Sequence, residues 1–301
     1  MKNYNFVGNL KRALIISGAI MLVGVICLCI FGVKLDISFK GGTRIQYSYT
    51  EAPDLAKLEA AAEDVLKGDV EIAKDEGGEH KLVTITMTEN ISSDDQEALH
   101  ERMAKDFKDS KMVVFNSNTL SASMGSKFLL RCLLALGLAA VLLIVYVGFR
   151  FRKIGGITAG VSALIALVHD LLIVFFTFVI FGIELDNNFV AVMLTILGYS
   201  LNDTIVIFDR VRTLRRRSDA PLEEVVNDSL HHVLRRTVIT TVTTCLAILA
   251  VLVVALVMGV DSIISFALPM LLGAISGSYS SLFLSGPIWV RWMNAREKNK
   301  K

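Results

Sequence analysis

Cysteine is scarce in this sequence, and its four cysteines all lie in apolar runs rather than in the polar part of the chain (Cys27, Cys29, Cys132 and Cys245). None of them has a histidine at the spacing of a zinc site. An isolated cysteine in an apolar run behaves as a small buried hydrophobic residue. The cysteines therefore predict neither a disulfide framework nor a metal centre.

The motifs of soluble enzymes are also missing. The segment Lys40-Gly41-Gly42 lacks the spacing of a phosphate-binding P-loop, and the sequence has no recognisable nucleophile turn. We therefore expect no enzymatic activity, no bound cofactor and no nucleic-acid partner. No ATP-binding motif is indicated either.

Apolar residues, in contrast, are abundant. They make up 53% of the 301 residues, and the mean hydropathy of +0.56 is typical of an integral membrane protein. About 20 apolar residues in a helix cross the hydrocarbon core of a bilayer. Six runs are long enough, and they predict a polytopic α-helical membrane protein with six transmembrane helices at 13–33, 128–149, 155–182, 188–208, 238–258 and 263–290.

Positive charge is distributed unevenly among the connecting segments. Lys and Arg collect at the N terminus, at 150–153, between 209 and 236 and after 293, whereas the short connections at 184–186 and 259–261 contain none. Because Lys and Arg favour the cytoplasmic side, we predict a multi-pass protein of the cytoplasmic membrane with both termini in the cytoplasm. The predicted divisions are an N terminus with helix one (1–33), a five-helix bundle (128–293) with a cytoplasmic loop at 209–236, and a basic tail (294–301).

The interval 34–127 is polar and acidic, with 12 Lys and Arg residues against 18 Asp and Glu residues. Its patterns follow the order β-α-β-β-α-β, with a predicted turn at Gly77-Gly78. We therefore predict a small α+β domain of the ferredoxin-like type, located outside the cytoplasm between helices one and two. Its carboxylates and His80 are interpreted as a solvated surface. A surface that binds a partner chain along a strand edge is the alternative.

Two of the predicted spans carry polar side chains along one face. Successive residues turn about 100° around a helix, and the polar residues of helix four therefore fall within one arc: Asn188, Thr195, Tyr199, Asn202 and Asp203. Helix three has a similar stripe, which contains Thr158, Ser162, His169, Asp170 and Thr177. Both stripes are expected to face other helices or water.

Asp203 is the side chain on which the functional hypothesis depends. A carboxylate within a span costs roughly 2.5–3.5 kcal/mol on insertion scales, and such residues usually pair, bind a ligand or carry protons. Arg236 enters the next span from the same side and is expected to reach the level of Asp203. With His169 and Asp170 nearer mid-membrane, these groups predict a stepwise proton path. The alternatives are a static ion pair between Asp203 and Arg236, and a purely structural hydrogen bond at His169-Asp170.

Several segments resemble the SecD/SecF family of protein-export subunits. The sequence Leu-Asp-Ile-Ser-Phe-Lys-Gly-Gly-Thr at 35–43 is similar to the Asp-Phe-x-Gly-Gly segment of this family. The membrane block is similar at Val-His-Asp (168–170), Gly-Tyr-Ser-Leu-Asn-Asp-Thr (198–204), Asp-Arg (209–210) and Arg-Thr-Val-Ile-Thr (236–240). The resemblance covers nearly the whole chain.

The resemblance implies a member of the resistance-nodulation-division superfamily. Such a protein would form a complex with a SecD subunit, associate with the SecYEG channel and use proton flow to assist late steps in the export of an unfolded polypeptide. By the matching motif, Asp203 would be the central proton-relay carboxylate and Arg236 its partner. We include four more residues in the expected relay (His169, Asp170, Tyr199 and Asn202). A structural or interface motif is expected from the remaining matches (Asp36, Phe39, Gly41, Gly42, Asp209 and Arg210).

Two other functions are compatible with the same sequence. One is a proton-driven exporter of small molecules or lipids from the same superfamily, and the other is a structural scaffold of a translocation complex. In each case the protein would contact membrane lipids. The residues themselves leave open whether the coupling ion is H⁺ or Na⁺.

Overall fold

The computed structural model describes residues 4–66, 68, 70–75, 81–89 and 91–298. In chain order its helices are α1 (Leu10–Phe31), α2 (Ile37–Lys40), α3 (Leu55–Leu66), α4 (Ser93–Asp106), α5 (Ala122–Arg150), α6 (Gly156–Ile180), α7 (Asn187–Arg215), α8 (Leu222–Met258), α9 (Asp261–Ser280) and α10 (Gly286–Lys298). A short 3₁₀ turn, Arg152–Ile154, joins α5 to α6. A π-helical segment, Ser281–Ser285, joins α9 to α10.

Six helical segments in the described part of the chain are long and apolar enough to cross a membrane. They are α1, α5, α6, α7, α8 and the continuous run from α9 through α10. Each coincides with one of the six predicted apolar runs. The prediction of six helices of membrane-spanning length is therefore confirmed.

A four-stranded antiparallel sheet lies in the chain between α1 and α5. Its strands are β1 (Gly42–Ser48), β2 (Val70–Asp75), β3 (Leu82–Met87) and β4 (Val113–Leu120), in the spatial order β2-β3-β1-β4. Alternate residues of β1 and β3 point toward α3 and α4 and form an apolar core with them, which includes Ile45, Tyr47, Val83, Leu58 and Leu99. The observed order β1-α3-β2-β3-α4-β4 matches the predicted order. The ferredoxin-like assignment stays a prediction, and the predicted turn at Gly77-Gly78 and His80 lie outside the described residues.

Two spans form the interior of the helical bundle. Helix α6 packs against α1, α5, α7 and α9, and α7 packs against α9 and α8. About half of the apolar stretch of α6 and of α7 is buried, whereas α1, α5 and α8 expose most of theirs. A helix that is apolar on all sides suits a lipid environment. The two predicted polar stripes therefore lie on the two helices that the other spans surround.

The interval 209–236, predicted as a cytoplasmic loop, is mostly helical. Helix α7 continues to Arg215, and α8 already begins at Leu222. The physical reason is an apolar stripe at helical spacing, because Val225, Val226 and Leu230 are all buried. At 37 residues α8 is about 55 Å long, which is longer than a bilayer core requires. Its first turns therefore extend beyond the apolar region.

The N-terminal residues pack onto this extension of α8. Phe6 and Val7 are buried in the same core as Val226 and Leu230. The side chain of Asn227 accepts a hydrogen bond from the backbone N–H of Val7 at 3.2 Å and donates one to Asn5 at 3.0 Å. The chain before α1 is therefore fixed to the first turns of α8.

Candidate functional site

Asp170 lies at the centre of a buried hydrogen-bond cluster that joins three spans. It belongs to α6, and its exposed fraction is 0%. The hydroxyls of Ser200 from α7 and Ser280 from α9 each donate to its Oδ2 at 2.6 Å. Ser276 of α9 donates to its Oδ1 at 2.6 Å, and Nδ1 of His169 lies 3.1 Å from the same oxygen. Four side chains therefore satisfy one carboxylate in the interior of the bundle.

Two glycines of α9 allow this close approach. A Cβ added to Gly277 would lie 3.0 Å from Cβ of Ser200, and one added to Gly273 would lie 2.8 Å from the side chain of Ile196. Small residues at four-residue spacing permit helix backbones to approach within a membrane. The sequence pattern Gly273-xxx-Gly277 thus brings the serines of α9 within hydrogen-bonding distance of α6.

The π-helical segment follows directly after this contact. The hydroxyl of Ser281 lies 2.9 Å from that of Thr204 and donates to the backbone oxygen of Ser200 at 3.2 Å. Single π-helical turns often occur at functional sites because they re-aim side chains within a helix. Here the turn lets Ser280 and Ser281 face α6 and α7, respectively.

Asp203 lies about one turn after Ser200 on α7, and its carboxylate has fewer hydrogen-bond partners than that of Asp170. Its exposed fraction is 8%, and its Oδ2 is buried with no hydrogen-bond partner in the described structure. It interacts with the hydroxyl of Ser278 and electrostatically with Arg236. Ser278 also forms a hydrogen bond with Thr241 of α8. Asp203 is therefore held between α8 and α9 with hydrogen-bonding capacity to spare.

Arg236 is exposed and stands near Asp203 without binding it directly. No ion pair within 4.0 Å joins these two residues, both of which are described. The static pair that the sequence left as an alternative is thus not formed in this arrangement. The relay role of the two residues stays a prediction.

The other expected relay residues divide between the interior and the surface. All five residues of the α6 stripe, including His169, are buried, as their periodicity predicts. The hydroxyl of Tyr199 on α7 is buried and has no hydrogen-bond partner among the described residues. Asn202 and Thr195 of α7 are exposed. Asn202 is rotated about 200° from Ser200 around the helix, and it therefore points away from α6 and α9.

Sequence reasoning missed the roles of Ser200 and Thr204. Both are buried in α7, four residues apart, and both lie outside the arc of the predicted polar stripe. A pair of hydroxyls at this spacing among apolar neighbours was the signal that could have identified them.

The Asp36 motif lies at the other end of the spans. Asp36 caps α2 by accepting from the N–H of Ser38 at 2.8 Å and binds the guanidinium of Arg44 at 2.5 Å. Arg44 also contacts Glu184, between α6 and α7, at 3.2 Å. Burial alone would raise the pKa of Asp36, but the hydrogen bonds from Ser38 and the charge of Arg44 outweigh it and lower that pKa. The motif fastens the start of the sheet to the α6–α7 connection.

Phe39, Gly41 and Gly42 complete this junction. Phe39 is 2% exposed and stacks on Phe128 of α5 at 5.8 Å between ring centroids. Gly41 and Gly42 have φ values of 83° and 133°, which side chains rarely adopt. A Cβ on Gly42 would lie 2.2 Å from the carbonyl oxygen of Met87. These contacts connect the start of the sheet to α5 and β3, and a structural role for the motif stays a prediction.

Asp209 and Arg210 lie near the end of α7 opposite the Asp36 motif. Asp209 accepts from Arg150 of α5 at 3.1 Å and from Arg212 at 2.6 Å. Arg210 makes no ion pair among the described residues, and its Nε is buried without a partner. Within the same described residues, no group of three or more His, Cys, Asp or Glu side chains could hold a metal ion.

Comparisons with known proteins show which family this chain is similar to. Residues 100–295 match the family described as "Protein export membrane protein SecD/SecF, C-terminal". The chain is 32% identical over 291 residues to a protein translocase subunit SecF of Alicyclobacillus acidocaldarius, covering 94% of this chain and 91% of that one. It is 30% identical over 311 residues to the protein translocase subunit SecDF of Bacillus subtilis, covering 99% of this chain.

A solved structure is also similar. The crystal structure of SecDF from Thermus thermophilus, a translocon-associated membrane protein, superposes with a TM-score of 0.80 at 26% identity and covers 97% of this chain. This chain spans 39% of that protein and 39% of the Bacillus subtilis SecDF. The similarity therefore extends over one part of these longer proteins.

Proposed function

Because the chain belongs to the SecF family of protein translocase subunits, and is thus a multi-pass accessory subunit of the Sec translocase, we propose that it uses proton flow to assist late stages of protein export. It acts beside a SecD subunit at a SecYEG channel. The support for a SecD partner is the longer SecDF relatives, of which this chain resembles one part. The exported client is an unfolded polypeptide.

The proposed topology places both termini in the cytoplasm. The interval 34–127, with the antiparallel sheet, then lies outside the cytoplasm as a ferredoxin-like domain, where an emerging polypeptide is accessible. The support is the distribution of Lys and Arg, which are absent from the connections at 184–186 and 259–261. Membrane lipids surround the exposed apolar faces of α1, α5 and α8.

The observation that carries the proposed mechanism is the state of Asp203. It is a buried carboxylate within a span, and among the described residues one of its oxygens has no hydrogen-bond partner and Arg236, although near it, forms no ion pair. When Asp203 is ionised, it attracts the Arg236 guanidinium, and when it is protonated, this attraction is lost. Moving one charge through 100 mV corresponds to about 2.3 kcal/mol. That energy is enough to bias two arrangements of α7 and α8.

In this proposal the other polar residues support Asp203. Asp170 and His169 hold α6, α7 and α9 together and continue the proton path toward mid-membrane through Ser200. The hydroxyl of Tyr199, which has no hydrogen-bond partner in the described part of the chain, offers a further site of proton exchange on α7. Asn202 lies on the face of α7 that this chain leaves uncovered, where a membrane partner can reach it.

The proposal is tested by gradient-driven export into inverted membrane vesicles. Asp203→Asn is expected to abolish the stimulation by an imposed proton gradient, while the protein remains inserted and in its complex. Asp261→Asn, at the start of α9, is the matched control and should retain the stimulation. Full stimulation in the Asp203 variant would contradict the mechanism and favour a structural scaffold. Efflux of small molecules or lipids by this chain alone would favour the exporter alternative.

A further inference from the structure

A cavity of about 440 Å³ lies between α7 and α8. Its polar lining consists of Asp209, Arg210 and Thr213 from α7 and of His232 and Arg236 from α8. The cavity is separate from the Asp170 cluster, none of whose residues line it. The chemistry of these side chains indicates what it can bind.

Positive charge exceeds negative charge around this cavity. Asp209 is already shared by two guanidiniums, those of Arg150 and Arg212. Arg210 and Arg236 form no ion pair in the described part of the chain. Even when Asp203 is counted as the electrostatic neighbour of Arg236, four guanidiniums face two carboxylates. The local excess of positive charge favours an anionic ligand.

The Arg210 guanidinium has unused hydrogen-bonding capacity. Its Nε is buried and has no hydrogen-bond partner among the described residues. Buried N–H groups in proteins are nearly always satisfied, and leaving one unpaired is costly. The planar donor fork of arginine matches the oxygens of a phosphate or a carboxylate, and two arginines on facing helices can hold one oxyanion between them.

The position of the cavity favours phosphate. The apolar run of α7 ends at Phe208, directly before Asp209, and the run of α8 begins at Val238, directly after Arg236 and Thr237. The cavity therefore lies at the level where hydrocarbon gives way to headgroups. We propose that it binds a phosphate group through the guanidiniums of Arg210 and Arg236, with His232 as an additional contact. The phosphate comes from an anionic lipid headgroup or from inorganic phosphate, which have this chemistry in common.

The experiment measures the melting temperature of the purified full chain in a non-ionic detergent. The probes are inorganic phosphate, a short-chain phosphatidylglycerol and the matching diacylglycerol, which lacks the phosphate, at constant ionic strength. A saturable rise in melting temperature is expected with a phosphate-bearing probe and not with diacylglycerol. Arg210→Gln and Arg236→Gln should each weaken the apparent affinity by about tenfold, because a charge-assisted hydrogen bond is lost.

Arg216→Gln is the matched control, because Arg216 is exposed near the end of α7 and does not line the cavity. It should bind as the unchanged chain does. Arg210→Lys keeps the charge but loses the planar donor fork, and an intermediate affinity is expected. This variant replaces Arg210→Gln in the test if Arg210→Gln does not fold.

The two phosphate-bearing probes distinguish the source of the phosphate. Stabilisation by phosphatidylglycerol alone identifies a lipid headgroup. Stabilisation by both phosphate-bearing probes, or by inorganic phosphate alone, identifies a site that accepts the free ion. The proposal is overturned if neither phosphate-bearing probe stabilises the chain. It is also overturned if the control Arg216→Gln loses as much affinity as Arg210→Gln and Arg236→Gln.

Discussion

The hydroxyl of Ser200 donates a 2.6 Å hydrogen bond to the carboxylate of Asp170, and this contact joins α7 to α6 at a point without solvent exposure. Two serines of α9 donate to the same carboxylate at the same distance. A buried polar group that lacks hydrogen-bond partners is costly, and here four side chains satisfy one carboxyl group. The two interior spans and α9 therefore share one hydrogen-bonded anchor.

Replacing Asp170 with alanine is expected to destabilise the bundle by about 3–5 kcal/mol, because three buried hydroxyls lose their common acceptor. The measurement is reversible unfolding of the purified chain in mixed detergent micelles. Asp170→Asn keeps an acceptor oxygen and should cost less than the alanine variant. Ser126→Ala, at an exposed position of α5, is the control and should unfold as the original chain does. Equal stability of the Asp170→Ala variant would show that the cluster is not an anchor.

Gly42→Ala is expected to destabilise the junction between the sheet and the bundle. Its φ of 133° disfavours a side chain, and the added Cβ would lie 2.2 Å from the backbone oxygen of Met87. Gly137→Ala in α5 provides the comparison, because no atom of the described residues outside the helix's own backbone lies within 4 Å of its added Cβ. Alanine is the better helix former, and this second variant should be neutral or slightly stabilised. Both are compared by their melting temperatures, and a Gly42→Ala variant as stable as Gly137→Ala would refute the steric argument.

His100 is expected to make stability depend on pH. Its Nδ1 lies 2.6 Å from the hydroxyl of Tyr47, and burial lowers its pKa below the ordinary value of 6.5, although Glu97 acts in the opposite direction. On acidification the unfolded chain therefore takes up this proton before the folded chain does. The stability present above pH 6.5 is lost as the pH falls toward the lowered pKa.

Melting temperatures at pH 7.5 and at pH 5.5 test this dependence. His100→Gln should lower the stability at the higher pH and should reduce the difference between the two conditions. Since other groups also titrate in this range, the comparison of the two proteins is the decisive quantity. An identical pH difference in both would exclude His100 as its source.

The sequence predicted the spans and the sheet well, because both depend on local patterns. Six apolar runs become six helices, and the alternation around Ile45 and Tyr47 becomes a strand with a buried face. The α6 stripe is buried because its periodicity reflects a helix that other helices surround on most sides. These features need no knowledge of which element contacts which.

The partners of each polar side chain were not predictable in the same way. Asp170 bonds to residues 30, 106 and 110 positions away, and periodicity identifies a face but not the helix opposite it. The sequence predicted Asn202 and Asp203 on the same polar face of the helix, but in the structure Asn202 is exposed and Asp203 is buried. The loop expected at 209–236 became helix because tertiary burial of Val225, Val226 and Leu230 stabilises it.

The ionisation of Asp203 under an imposed proton gradient is the most direct test of the proposed function. Infrared difference spectroscopy of the reconstituted complex, with Asp203→Asn used to assign the carboxyl band, measures it during export. We predict a carboxyl signal from Asp203 that rises and falls with the gradient while the polypeptide moves. A carboxyl signal that stays constant while gradient-driven export continues at its normal rate would contradict the account.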